Sequence, residues 1–279
     1  MVITIFGTGL IGCSLANRLK ETGFALTIIG VDDNQQNLEE ALKLGWIDLA
    51  MEPDEAVALA DLLILAIPVD AVLQILPNLL NGIGNKVVMD VGSTKKMIGD
   101  TVKENKNRKQ YVATHPMWGT EKSGPRAVVK DAFAGKVSVI CDKHLSGPEA
   151  LKTVERLYGA IGMRLVYMNS GMHDVHAAYI SHISHIASYA LSLTVLEKEK
   201  EEDAIFELAS GGFESTVRLA KSNPSMWVPI FMQNKENVLD VLNEHILQLR
   251  KFKSCLEEEN YVYLEELIKN ANSINRILK

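Results

Sequence analysis

The chain has 279 residues, 47% of them hydrophobic and 23% charged, with a net charge of −6, the balance of a globular protein with one large domain or two modest ones. The acidic excess argues against nucleic acid as the main partner, and no apolar stretch approaches the roughly 18–20 residues of a membrane helix. Three cysteines, Cys13, Cys141 and Cys255, lack metal or disulfide spacing, and Met1 leads directly into an apolar run, so the expected compartment is the cytoplasm, without leader or anchor.

The apolar run Val2 to Phe6 reads as a strand. It ends at Gly7-Thr8-Gly9-Leu10-Ile11-Gly12, a helical segment follows, and a second apolar run, Leu26 to Val31, stops at Asp32. Strand, glycine turn, helix, strand and acid in this register form a dinucleotide-binding fingerprint. Gly7 permits the tight turn, Gly9 lets backbone N–H groups approach a pyrophosphate, and Gly12 lets the helix pack close to the sheet. The helix N-terminus faces the phosphates with its partial positive charge. Asp32, twenty positions past Gly12, can take both ribose hydroxyls and would repel a 2′-phosphate, so the expected cofactor is NAD rather than NADP. Cys13 lies at the helix N-terminus, where a thiol pKa can fall, but a small buried residue is the simpler reading.

The alternation continues. Gln35 to Leu44 and Pro53 to Ala60 read as helices, and Leu62 to Ile67 as a strand apolar on both faces, as at the centre of a parallel sheet. Pro68 ends it, and a helix follows over Ala71 to Leu80. Val87 to Val91 is the next strand, stopping at Gly92-Ser93, with Thr94 as cap of a helix through Lys106. Strand ends at Pro68 and Gly92 fall on the carboxyl edge, where open α/β sheets bind ligands. Tyr111 to Thr114 is a further strand opening onto a polar loop, His115 to Arg126. Val137 to Cys141 and Arg164 to Met168 are two more, separated by a helix over Gly147 to Ile161.

From Asn169 onward the pattern is helical only: Asp174 to Glu197, Glu201 to Ala209, Glu214 to Ser222, Pro224 to Gln233, Lys235 to Glu258 and Tyr261 to Leu278. Gly211-Gly212 separates two of these, Asn223-Pro224 reads as an N-cap with proline at the first helical position, and Pro229 should bend or shorten its helix. The run Lys198 to Glu202 reads as a solvated turn. The expected architecture is α/β: a doubly wound sheet over residues 1–168, then an all-α domain over 169–279. The stripe Val238, Leu242, Ile246, Leu249 and Leu256 would be buried against a neighbouring helix or a second subunit.

Three groups could carry chemistry. His115, at the head of its loop, is a general base by the position of its ordinary pKa or a structural loop histidine. His182, His185 and Tyr189 share one helix face, either lining a pocket or forming a satisfied core pair; with no carboxylate on that face, a metal site lacks ligands. Arg218 is a natural fork for a substrate carboxylate or an exposed helix arginine.

Together these residues resemble the prephenate dehydrogenase family, the NAD-linked enzymes of tyrosine biosynthesis. The resemblance is carried by the glycine turn, Asp90-Val91-Gly92-Ser93-Thr94-Lys95, His115-Pro116-Met117 with Gly119-Thr120-Glu121, and Ser181-His182 with His185. It continues in Gly211-Gly212-Phe213 leading to Arg218, Asn223-Pro224-Ser225-Met226-Trp227, and Asn234-Lys235-Glu236-Asn237-Val238. It implies a Rossmann domain, a helical homodimerisation domain and oxidative decarboxylation of prephenate, a small-molecule substrate, to 4-hydroxyphenylpyruvate. Carried over by motif, His115 accepts the hydrogen bond of the ring hydroxyl, Ser93 helps hold that hydroxyl and His115, and Arg218 grips a carboxylate. Ser181, His182 and His185 line the substrate pocket, Glu121 belongs to its gate, and Gly7, Gly9, Leu10, Ile11, Gly12, Asp32 and Pro68 hold the cofactor. Departures are Cys13 where many members have Gly, the bulky Trp118, and Ser215 where some carry an acid. No ACT or chorismate mutase domain is expected. Arogenate, whose side chain bears an amine instead of a keto group, is the competing substrate; a hydroxyacid-type dehydrogenase and an NAD-sensing module are the remoter alternatives.

Overall fold

The computed structural model describes residues 1–200 and 208–276. The chain divides into two compact units, Met1–Asn234 and Lys235–Lys279. In the first, the described strands are β1 (Val2–Phe6), β2 (Thr27–Val31), β3 (Leu49–Ala50), β4 (Leu62–Leu65), β5 (Val87–Asp90), β6 (Tyr111–Pro116), β7 (Val137–Cys141) and β8 (Arg164–Met168). They form one sheet in the order β3-β2-β1-β4-β5-β6-β7-β8. Every neighbouring pair is parallel except β6 with β7. The carboxyl ends of β1, β2, β4, β5 and β6 therefore share one edge, and the strand order turns back between β1 and β4, the place where such sheets bind ligands.

Helices α1 (Leu10–Glu21), α2 (Gln35–Lys43), α3 (Pro53–Leu59), α4 (Val69–Gly82), α5 (Lys96–Thr101) and α6 (Pro148–Ala160) connect the strands. The central strands are apolar on both sides because both sides are covered. Ile3, Ile5, Leu62 and Ile64 pack with Cys13, Leu15 and Leu19 of α1 and Val154 and Leu157 of α6. Leu63 and Leu65 point the other way, among Leu76 and Leu80 of α4. β3 has no counterpart in the sequence pattern: its two residues are exposed, so no apolar run marks them.

The helical stretch that follows comprises α7 (Ser170–Ala177), a π-helical turn (Ala178–His182), α8 (Ile183–Glu199), α9 (Gly211–Val217), a 3₁₀ turn (Arg218–Lys221) and α10 (Pro224–Gln233). Trp227 and Ile230 of α10 join the core beneath α4. The second unit holds α11 (Lys235–Glu257) and α12 (Tyr261–Ala271), with a turn at Asn272–Arg276. Ile246, Leu249 and Leu256 of α11 and Tyr261, Val262 and Ile268 of α12 are exposed. No helix among the described residues is long and apolar enough to cross a membrane.

Several expectations change. The helix after Thr94 ends at Thr101, not Lys106, and Thr94 does not cap it: its hydroxyl donates to Gln233 Oε1 at 2.6 Å. The cap comes from Asp174, whose two carboxylate oxygens accept the Lys95 and Lys96 N–H groups at 2.8 and 2.9 Å. Leu26 lies outside β2 and is exposed. β6 continues through His115 to Pro116, because β7 pairs with it there. Gly211 and Gly212 open α9 instead of breaking a helix, and Pro229 sits inside α10 without ending it. Asn223 does cap α10, accepting from Ser225 N. The helix expected over Glu201 to Ala209 falls mostly outside the described residues, as do Glu201 and Glu202 of the charged run and Leu278 of the last expected helix.

Candidate active site

At the mouth of β1 the glycines serve two different needs. Gly7 has φ +92°, and a Cβ there would sit 2.3 Å from the Ala66 carbonyl oxygen; at Gly12 it would lie 1.9 Å from the Gly7 carbonyl oxygen. Both are required by the protein's own backbone. A Cβ on Gly9 meets nothing within 4 Å, so the space beside it is open toward the uncapped start of α1, with buried Leu10 and half-buried Ile11 turned into that helix. Free N–H groups, a helix N-terminus and open space at one glycine suit a pyrophosphate.

Asp32 follows β2. Its Oδ2 accepts from Thr8 N (2.7 Å) and Thr8 Oγ1 (2.9 Å), its Oδ1 from Asn34 N (2.9 Å). Pro68 is exposed at the start of α4, on the same edge. The Cys13 thiol donates to the Thr8 carbonyl, and burial pushes its pKa up to about 12. A helix start can acidify a thiol, but here desolvation dominates, followed by the charges of Asp32 and Glu40.

Farther along the edge, the end of β5 is built around a buried Asp90. Its Oδ1 accepts from Tyr111 Oη at 2.6 Å and Thr114 N at 3.3 Å. Its Oδ2 accepts from Gly92 N at 2.9 Å and pairs with Lys95 Nζ, both charged side chains fully buried. This network shapes the Gly92-Ser93 turn and leaves Ser93 half-buried at the edge. His115, on the adjacent strand, points its Nδ1 at His173 Nε2 (2.9 Å), and His173 Nδ1 faces Asp174 Oδ1 (2.7 Å). Burial holds the His115 pKa well below the ordinary histidine value, with His173, Lys95 and His182 adding repulsion. The ring is therefore neutral at neutral pH and able to accept a proton.

His182 and His185 are both buried beside Trp227: His185 stacks on its indole at 3.5 Å between centroids, and His182 meets it edge-on at 5.9 Å. Asn234 Nδ2 donates to His182 Nδ1 (3.2 Å) and to the Asp174 carbonyl (2.7 Å). His185 Nδ1 faces the Ser181 carbonyl (3.2 Å), and Ser181 itself is half-buried. Burial lowers both histidines, His182 to about 4. The sequence shows no carboxylate on this face, yet Asp174 is near enough to raise the His182 pKa against that burial; the π-helical turn lies between them. Among the described residues no group of three or more His, Cys, Asp and Glu side chains is placed to hold a metal ion.

Arg218 sits on a 3₁₀ turn, half-exposed, and its Nη1 donates to Glu121 Oε2 at 2.5 Å. The Glu121 carboxyl is held below its ordinary pKa by its own backbone N–H and by Arg218. Ser215 spends its hydroxyl on the Gly212 carbonyl. The structure thus joins His115 with His173, Asp174 and His182, and Glu121 with Arg218. His173 and Asp174 were not legible as site residues, because only tertiary contact brings His173 to β6 and Asp174 to α5. A His-Asp pair at a helix start was the one local signal.

Two family models match the chain: prephenate dehydrogenase, nucleotide-binding domain, over residues 15–167, and prephenate dehydrogenase, dimerization domain, over 169–270. The chain is 32% identical to the prephenate dehydrogenase of Bacillus subtilis over 96% of its own length and 74% of the relative's. Its fold is similar to that of the prephenate dehydrogenase from A. aeolicus in complex with hydroxyphenyl propionate and NAD+ (TM-score 0.91, 29% identity, covering 100% and 98% of the two chains). It is also similar to that of Synechocystis arogenate dehydrogenase (TM-score 0.78, 25% identity, 100% of both). With both halves matched in order, His115 in the first and the Ser181, His182 and Arg218 segments in the second, the chain belongs to the prephenate dehydrogenase family.

Proposed function

We propose that the protein is an NAD-dependent dehydrogenase that converts prephenate to 4-hydroxyphenylpyruvate with release of CO2. The observation that carries this reading is the placement of His115, part-buried and bonded to His173, on the same sheet edge as an open glycine turn with a carboxylate behind it. The turn fits a dinucleotide: Gly9 and the start of α1 would take the pyrophosphate, with Leu10 and Ile11 flanking it, and Asp32 the adenosine ribose. Pro68 would border the cofactor at the next strand end. A 2′-phosphate would meet the Asp32 charge, which favours NAD.

NAD, when bound, supplies the hydride acceptor. His115 accepts the proton of the ring hydroxyl as hydride leaves the same carbon, so a carbonyl forms there. Breaking the bond to the ring carboxylate expels CO2 and sends its electron pair into the ring, which becomes aromatic. His115 then returns the proton to the phenolate oxygen, so protons balance and the enzyme ends as it began. Ser93 would orient the hydroxyl, and Ser181, His182 and His185 would line the ring. Arg218 would exchange Glu121 for a substrate carboxylate. A buried cleft that fixes these groups supplies orientation and low dielectric rather than new chemistry.

In this proposal residues 1–168 form the dinucleotide-binding domain and 169–279 the helical substrate and dimerisation domain. The exposed apolar residues of α11 and α12 support a homodimer through the latter. The test is formation of NADH or NADPH with prephenate and with arogenate, each with NAD or NADP and with or without tyrosine. Turnover of neither substrate would overturn the proposal, and faster turnover of arogenate would reassign the substrate. Sedimentation of a stable monomer at micromolar concentration would overturn the dimer.

A further inference from the structure

We infer that His173 and Asp174 are positioning residues that fix the tautomer of His115 and turn its Nε2 lone pair toward the substrate. This rests on the reading of His115 as the hydroxyl acceptor. Two hydrogen bonds lead to His115 from a fixed end. Asp174 cannot turn: its oxygens accept the Lys95 and Lys96 N–H groups, and Asn234 holds its main-chain oxygen. A carboxylate so held presents an acceptor to His173 Nδ1 at 2.7 Å, and that nitrogen carries the proton. A His173 ring with its one proton on Nδ1 has its lone pair on Nε2. His115 Nδ1, 2.9 Å away, must be the donor, and the remaining His115 nitrogen, Nε2, is left as an acceptor.

The orientation matters because either nitrogen of an isolated imidazole can hold the proton, and only one form can act as a base here. His173 and Asp174 are both buried, so no water competes for these bonds. The same arrangement spreads the charge that appears when His115 takes the hydroxyl proton. Its Nδ1–H already points toward a ring bonded to a carboxylate. The anchoring also ties the relay to Ser93: Lys95, whose N–H holds Asp174, pairs through Nζ with Asp90, which shapes the Gly92-Ser93 turn. One carboxylate on α7 thus sets the proton position on β6 and the start of α5 together.

The full-length protein labelled with 15N-histidine tests this directly. Long-range 1H–15N spectra at neutral pH should show the resonance that disappears in His115→Asn as a neutral ring protonated at Nδ1. In His173→Phe, which keeps a ring but no acceptor, that proton should move to Nε2. The kcat should fall ~10–100-fold, part of the ~10²–10⁴ of a positioned general base, while KM for NAD and prephenate stays within about threefold. His173→Gln, whose amide oxygen can accept from His115, should recover part of kcat. Wild-type His115 protonated at Nε2 overturns the inference even if the variants do not fold, and so does an unchanged kcat in a folded His173→Phe. Full kcat in His115→Asn would instead overturn the acceptor reading on which it rests.

Discussion

The two halves of the site are built by opposite means. The cofactor turn is one unbroken segment, Gly7 to Asp32, placed mostly by its own spacing: Gly12 leaves room for the Gly7 carbonyl and Asp32 holds Thr8, while only Gly7 answers to a neighbouring strand, at the Ala66 carbonyl. The chemical half is assembled from β5, β6, α7, α8, α10 and the 3₁₀ turn at Arg218. Its contacts join residues far apart in sequence, such as His115 to His173 and Glu121 to Arg218. A local site tolerates no change in its spacing, and an assembled one depends on the anchors behind the reacting groups.

The largest expected effect breaks the assembled half at its centre. His115→Asn keeps some hydrogen bonding but loses basicity, so kcat should fall by roughly 10²–10⁴ with substrate affinity little changed. In the wild type, the kcat/KM profile should stay flat through the ordinary histidine range and fall only at lower pH, because burial holds the His115 pKa well below 6.5 and protonation removes the acceptor. Loss of rate at or above pH 6.5 would count against His115 as the base.

The histidine face should also set the acid limit of the fold. His182 titrates near 6.5 unfolded and at about 4 in the folded state, chiefly because it is buried. The folded state therefore binds its proton more weakly. Stability is full above pH 6.5 and declines as the pH falls toward 4, by about 3 kcal/mol from this residue. Thermal melts should lose stability between pH 6.5 and 4 more steeply in the wild type than in His182→Gln, which lacks the group; identical slopes would refute the assignment.

The local half breaks differently at two glycines of one motif. Gly12→Ala forces a Cβ to within 1.9 Å of a backbone oxygen and should cost at least about 1–3 kcal/mol of stability. Gly9→Ala meets open space, so its melting temperature should hardly move while NAD affinity falls. Equal effects of the two on stability would refute the division of labour.

The same contrast explains what the sequence made legible. β1, α1 and β2 follow from apolar runs punctuated by glycine and an acid, and β4 from its two-sided burial. β3 was invisible because two exposed residues leave no pattern, and α5 was overextended because Thr94 resembles a cap but bonds Gln233. The true cap, Asp174, is 78 residues from Lys96, beyond any local rule. His115, Arg218 and Glu121 were visible as residue types in a suggestive order; their partners were set by packing. The π-helical turn at Ala178–His182 also escaped, because helical periodicity carries no mark of one inserted residue.

The smallest effect sharpens the comparison at the edge of the assembled half. Arg218 is half-exposed and already paired with Glu121, so a substrate carboxylate gains only the difference between two partners of similar chemistry. Arg218→Ala should therefore raise KM by about tenfold, close to 1.4 kcal/mol, rather than by the larger loss of a fully desolvated pair. Glu121→Gln keeps the shape but removes the competing charge, so KM should fall a few-fold, provided Arg218 is present. In the double variant Arg218→Ala with Glu121→Gln, that gain should vanish, because no guanidinium remains to be released. The cycle measures the exchange itself. Additive effects would mean that the substrate reaches Arg218 without displacing Glu121, and an unchanged KM in Arg218→Ala would return Arg218 to an exposed surface ion pair.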